Sequence, residues 1–366
     1  MKNSLTKDRG FSLIELMIAM GLGIFLIGAA ASVYFAQSQT YKTTTSQASI
    51  QNVENAIAGI LAPAIRSAGF AGCASITNAK TNLVGGGSPP LGILSPIAKP
   101  SPFIYGYDAK GTSSVTPPNA ATIVSDNPAN SSALSSWLPA LDANLSGHVE
   151  AGSDVLVLLG AAPASTPVNI TSYVPKSTTF DIEEIGSAGV GQIAMVSNCV
   201  GTSIFKITGI AGKTISHAVG AGTDDNSLGI IPLNFQPGSQ FIPLQQTAFY
   251  VAQGTGDQAT LMQAVYSNGV WTDQPLIPGV ESMQVLYGIG SSGVVTQYLS
   301  ADGVGSNWAN VYAIRIGFLI QGQKGTGSSG TASQRTYNVL GTNVTVPADG
   351  RLRHVYELTI EMRNAT

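Results

Sequence analysis

Between Phe11 and Ala36 the chain carries a single charged residue, Glu15, in an otherwise apolar run. An ionisable group near the start of a membrane helix costs a few kcal/mol, so it marks a function by default and requires a partner. The other residues able to do chemistry are scattered. His148, His217 and His354 are far apart in sequence and form no His-Glu-x-x-His pair, and His354 falls in a terminal strand-like segment where a structural role is the better reading. Cys73 and Cys199 cannot make a four-ligand zinc site by themselves. Gly288-x-Gly290-x-x-Gly293 and Gly325-x-Gly327-x-x-Gly330 match a dinucleotide fingerprint in letters. Neither opens a helical pattern, and the first leads into Val294-Val295-Thr296, so turns are expected instead. Asp224-Asp225 and Asp302-Gly303 could join a calcium site but fit isolated turns better. The sequence therefore assigns no catalytic residue, no metal and no cofactor, and an enzyme is not expected.

Composition points the same way. Of 366 residues 10% are charged, against roughly 25% in an average soluble domain, while 44% are hydrophobic and the net charge is −3. High apolar content with little net charge disfavours disorder, and a slightly acidic chain is not built to grip nucleic acid through a basic surface. Glycine (42 residues) with Ser, Thr, Ala and Asn replaces the missing charge, a mixture that favours β-structure with many turns.

The elements that must position Glu15 begin with residues 1–10, short and polar, with Lys2, Lys7 and Arg9 against Asp8. A helix over 11–36 is long enough to span the ~30 Å hydrocarbon core of a bilayer, and the upstream basic residues would keep the N-terminus in the cytoplasm. An ordinary secretory signal, with cleavage at Ala29–Ala31, or a simple membrane anchor would also fit this hydropathy, but both leave Glu15 unexplained.

Gly10-Phe11-Ser12-Leu13-Ile14-Glu15-Leu16 resembles the processing site of type IV prepilins and type II secretion pseudopilins. The resemblance implies that a prepilin peptidase cuts between Gly10 and Phe11, on the cytoplasmic side, and methylates the new Phe11 amine. The apolar helix then stays on the mature protein. Glu15 acquires a role as the partner of the Phe11 amine of an adjacent subunit, a pairing satisfied only in the correct axial stagger.

Further along, Ile50, Val53, Ile57, Ile60/Leu61 and Ala64 recur at three- and four-residue spacing, an amphipathic continuation over 37–66 that docks on a sheet. Gly21, Gly23 and Gly28 weaken the upper helix by about 1 kcal/mol each relative to Ala. Many major pilins have a proline in that half; Ser32 stands there in this chain. Pro63 removes a backbone donor, so the helix is expected to stop between Leu61 and Arg66.

Residues 67–366 form the expected extracytoplasmic head. Residues 73–150 are rich in Pro, Gly and Ser and predict loops and short strands, with details unreadable. Val155–Leu159, Ile204–Ile207 and Ala248–Val251 are strand candidates. In Val311–Ile320 the even positions are apolar, and in Arg351–Arg363 Leu352, Tyr356, Leu358, Ile360 and Met362 share a face. Both predict half-buried antiparallel strands with one side covered, by the helix. Glycine-rich stretches Gly288–Gly293 and Gly325–Gly330 fit turns. Outside the inner membrane Cys73 and Cys199 meet an oxidising compartment, which predicts a disulfide; two buried free thiols are the alternative.

Pro278–Gly288, Trp308–Arg315 and the terminal segment Arg351–Asn364 resemble the C-terminal half of PilW-type minor pilins, with a looser likeness to J-type pseudopilins. The expectation is an α+β, pilin-like fold: a long N-terminal helix on an antiparallel sheet with an enlarged loop-rich head. The resemblance implies an inner-membrane precursor with a periplasmic head, later placed at a pilus tip. Its partners would be prepilin peptidase, other minor pilins, the major pilin and a PilC/PilY-type adhesin. A J-type pseudopilin of a secretion system, or a binding module on a pilin-like anchor, are the alternatives.

Overall fold

The computed structural model describes residues 12–70, 72, 79–81, 103–109, 120–122, 129–163, 165–220, 225–231, 233–267, 270–326 and 334–362. One helix, Leu13–Ser67, dominates the N-terminal part. At 1.5 Å per residue it is about 80 Å long. Its large apolar residues from Leu13 to Tyr41 are exposed, and the first buried position is Ser46. From there Ile50, Ile57, Leu61 and Ile65 are buried, with Val53, Ile60 and Ala64 partly so. The expected stripe is thus present, extended by Ile65.

The helix ends one residue beyond the expected window of Leu61 to Arg66. It runs to Ser67, with Pro63 inside it. A proline this near the end forfeits one internal hydrogen bond and crowds the carbonyl of residue 59, here a glycine. Leu61 and Ile65, both fully buried, hold the turn on either side. Burial of those two side chains outweighs the lost bond.

The helix lies on a four-stranded antiparallel sheet ordered Val294–Leu299, Val280–Ser291, Val311–Gln321 and Arg353–Glu361. Ile57 and Leu61 share one core with Met283, Val285, Ile314, Ile316, Phe318 and Ile360. The even-numbered face of Val311–Gln321 is therefore the helix side. The other face is not left open as expected. A hairpin, Arg335–Val339 with Thr342–Val346, covers part of it and buries Leu319 against Val339, Val344 and Val346. Gly317 makes room: a Cβ there would stand 2.8 Å from both Leu340 and Val339. Only part of the Gly288–Gly293 stretch is a turn. Gly288 and Gly290 lie inside the strand, and the reversal is made by Ser292 and Gly293, both at positive φ. That conformation suits a two-residue hairpin loop.

The rest of the head is a larger sheet built around Gln240–Ala252, a 13-residue strand. One of its edges pairs first with Val168–Tyr173 and then with Val155–Ala161; the other pairs first with Ile193–Ser197 and then with Thr260–Ser267. Residues 73–150 contribute only short pieces among the described residues, such as Ile104–Ala109 and Trp137–Leu138. The two sheets are joined at Ser153–Asp154. The Asp154 carboxylate accepts from Ala109 N–H and Val285 N–H, both at 2.8 Å, and Asp154 N–H donates to the Met283 carbonyl. Burial raises the Asp154 carboxyl well above the usual carboxylate range.

Candidate functional site

Helix formation begins at Ser12, an N-cap in extended conformation. Its Oγ accepts from Glu15 N–H at 3.3 Å, and its own N–H donates to Glu15 Oε2 at 3.0 Å. This capping box satisfies two donors that a helix start otherwise leaves orphaned. Glu15 therefore sits in the first helical turn with its carboxylate folded back onto Ser12. The sequence reading missed Ser12, although Ser-x-x-Glu ahead of an apolar run is its signature. Gly10, Phe11 and Cys73 lie outside the described residues. Cys199 is exposed in the Asn198–Gly201 turn and is disulfide-bonded. Glu15 and Cys199 stand at opposite reaches of the chain and share no site.

What the tertiary structure adds is a neck where the exposed helix enters the head. Thr43 Oγ1 reaches the Thr326 carbonyl at 3.5 Å, and Thr326 Oγ1 donates to Ser46 Oγ at 3.2 Å. Gly322 lies under Ser46, and its N–H donates to the Leu352 carbonyl at 2.7 Å. Two turns further on, Glu54 Oε1 meets His354 Nδ1 at 2.7 Å.

Below the neck, charges are locked in place. Arg353 is held bidentate by Glu281, at 2.6 and 2.7 Å, and also contacts Asp349. Glu281 is fully buried and Arg353 nearly so. Hydrogen bonds and ion pairing with the two carboxylates outweigh the desolvation that opposes its charge and hold the Arg353 guanidinium above its usual range. Arg351 donates to the Gly322 carbonyl at 3.0 Å and pairs with Asp257 at 2.6 Å. These anchors rigidify the segment on which the neck rests. Nothing local in sequence pairs Glu281 with Arg353, so this network was not legible beforehand.

Among the described residues, no group of three or more His, Cys, Asp or Glu residues is arranged to hold a metal ion. The helix Leu13–Ser67 is long and apolar enough to cross a membrane. The arrangement suits mechanical work: an exposed apolar rod, a capped and charged start, and a braced junction to a β-rich head.

Two family models match the chain. The Prokaryotic N-terminal methylation motif covers residues 5–31, which contain Ser12, Glu15 and the first part of the exposed helix. Type IV Pilus-assembly protein W covers residues 248–364, from inside the strand Gln240–Ala252 through the four-stranded sheet, including Glu281, Gly322 and Arg353. No curated protein and no solved structure matches the chain. The methylation motif at the head of an apolar helix, together with the PilW region that forms the sheet beneath it, supports a PilW-family type IV pilin.

Proposed function

We propose that the chain is a minor pilin, inserted in the inner membrane with its head in the periplasm. It is cleaved between Gly10 and Phe11, methylated on Phe11 by prepilin peptidase, and built with other minor pilins into a priming complex at the pilus tip. There it promotes assembly of the major pilin and displays a PilC/PilY-type adhesin. The observation that carries this reading is the division of one 55-residue helix into an exposed apolar part and a part clamped to the PilW-matching sheet. An exposed run of Leu, Ile, Met and Phe is stable only in lipid or among other such helices. The large head favours a place at the tip over repetition along a shaft.

Glu15 sets the stagger of assembly in this proposal. Its carboxylate lies one turn from the future N-terminus, where the Phe11 amine of a neighbouring subunit neutralises it. Apolar packing of the rods supplies most of the association energy. Cys73 pairs with Cys199 and fastens the start of the loop-rich region to the head.

Mass analysis of the mature N-terminus from a membrane or pilus fraction tests the processing step. The expected species begins with N-methylated Phe11. A polypeptide beginning near Ala29–Ala31, without its apolar helix, overturns the assignment.

A further inference from the structure

The strand Arg353–Glu361 closes one side of the four-stranded sheet and pairs only with Val311–Gln321. Gly322 N–H donates to the Leu352 carbonyl and Met362 N–H to the Tyr312 carbonyl, so the even-numbered residues from 352 to 362 turn their backbone groups inwards. An antiparallel ladder alternates residue by residue. The N–H and C=O groups of Val355, Glu357, Thr359 and Glu361 therefore point away from the sheet. Among the described residues no hydrogen bond reaches them, and Glu357, Thr359 and Glu361 are exposed.

An open row of this kind is a template for another strand, and folded proteins blunt it with proline, a bulge or shortness. The outer strand Val270–Pro278 carries Pro275 inside it, beside a register shift between Leu261 and Met262. Val294–Leu299 has six residues, and its ladder shifts register between Ile289 and Gly290. Arg353–Glu361 has nine residues, no proline and an unbroken register. It is left free to pair.

Its surroundings define what fits. On the helix side Tyr356 and Leu358 are only partly buried against the core. A groove of about 360 Å³ lies between Gln47, Gln51 and Glu54 of the helix and Leu352 and His354 beside them. A strand bonded to this edge would stand ~4.8 Å further out and turn alternate side chains towards the helix flank. Apolar residues there complete the cover of Tyr356 and Leu358. The unanswered charge is acidic. Glu357 is paired with Arg315, and Arg353 is committed to Glu281 and Asp349. Among the described residues that leaves Glu361 without a cation and Glu54 facing only the His354 ring. Opposite charges across a strand pair stabilise it, so the incoming strand is basic.

A second copy of the chain does not meet these terms. A two-fold pairing of this edge with itself, in full overlap, sets Glu357 beside Glu357, and like charges directly opposite destabilise a pair. It also points the two apolar rods in opposite directions, which anchoring in one membrane forbids. The other outer strand of the same sheet, Val294–Leu299, has no basic residue.

We propose that the Val355–Glu361 edge docks an extended strand of a different protein, with apolar residues at alternate positions and lysine or arginine between them. The argument from rod direction rests on the membrane-anchored reading above; the open edge does not.

The test uses the full chain in detergent and three nine-residue probes: a peptide alternating valine with lysine, the same peptide with glutamate for lysine, and the lysine peptide with proline at its centre. Hydrogen exchange reads where each binds. The lysine peptide is expected to slow exchange about tenfold or more at the amides of residues 355, 357, 359 and 361, and not at 294–299. The glutamate and proline peptides are expected to bind at least about tenfold more weakly. Thr359→Pro removes one outward donor without breaking a bond to Val311–Gln321, a position at which an edge strand tolerates proline. It is expected to weaken lysine-peptide binding about tenfold or more at an unchanged melting temperature. If it melts early, Glu361→Lys, which keeps the backbone and reverses the charge, decides by the same tenfold criterion. No binding by the lysine peptide, equal binding by the glutamate peptide, protection confined to other strands, or slowed exchange at this edge through dimerisation of the chain alone overturns the proposal. None of these results alters the mass of the mature N-terminus, so the two readings fail separately.

Discussion

Gly322 lies so close beneath Ser46 that a Cβ built on it would stand 2.0 Å from the Ser46 Oγ and 3.3 Å from the Leu352 carbonyl. This contact marks the height at which the helix meets the head. Above it the large apolar residues are exposed; below it nearly every turn buries a side chain, at Ile50, Ile57, Leu61 and Ile65. The junction therefore tolerates no side chain on the sheet side.

Gly322→Ala is expected to destabilise the head by about 1–3 kcal/mol, the usual cost of overpacking, and to speed amide exchange over residues 43–52. Adding Ser46→Ala removes the closest atom and should restore most of the loss, a coupling that a double-mutant cycle reads directly. Equal effects of Gly322→Ala in both backgrounds would show that the contact is not the cause.

The Arg353–Glu281 pair predicts a sharper loss. Arg353→Met leaves the buried Glu281 carboxylate without its counter-ion and should cost about 3–5 kcal/mol. Replacing both, with Glu281→Leu and Arg353→Met, should recover part of this because the desolvated charge is gone. Denaturant unfolding of the single and double variants measures the difference.

His217 predicts a pH dependence. Its ring is fully buried between Phe180 and Phe205, and burial lowers its pKa to about 4. The unfolded chain binds a proton near pH 6.5, so His217 leaves stability intact above that pH and erodes it as pH falls towards 4, by at most about 3 kcal/mol. Asp108 works in the opposite sense: burial raises it to about 6, so the folded state gains relative stability as pH falls from about 6 to 4. The test is thus a difference. His217→Phe should be less sensitive to acid than the parent between pH 6.5 and 4, and parallel curves would contradict this account.

Glu15 and Ser12 separate capping from assembly. Ser12→Ala should cost the helix start about 1 kcal/mol yet leave the pilin in sheared filaments. Glu15→Val should still be inserted and cleaved but be missing from those filaments. Immunodetection in membrane and pilus fractions distinguishes them, and normal incorporation of Glu15→Val would remove the stagger role.

Peptide mapping without reduction should yield one linked peptide containing Cys73 and Cys199. Closing a loop of this length stabilises by nominally about 4–5 kcal/mol, so Cys199→Ser should melt earlier. Two free thiols would refute the pairing.

Much of the framework was legible because it is periodic. The apolar run after Phe11, the stripe from Ile50 to Ala64 and the alternation in Val311–Ile320 and Arg351–Arg363 each repeat at the spacing of their own backbone, so local sequence carries the element and its buried face. The strand Gln240–Ala252 was legible only in part, as Ala248–Val251. Pro243 interrupts its pattern and argues against a central strand. The structure accommodates it at the point where both edges change partners, and its carbonyl still accepts from Ala162 N–H.

The amino-acid sequence by itself determined the rod, its charged start and the alternating strands beneath it, since these depend on neighbours within a turn or two. Tertiary structure alone decided that Pro63 stays helical, that Glu281 meets Arg353 and that Gly322 admits Ser46. Each of these joins residues far apart in the chain, or depends on what such residues bury. Burial energy and counter-charge then override the local preference, and no local pattern records which distant residue will supply them.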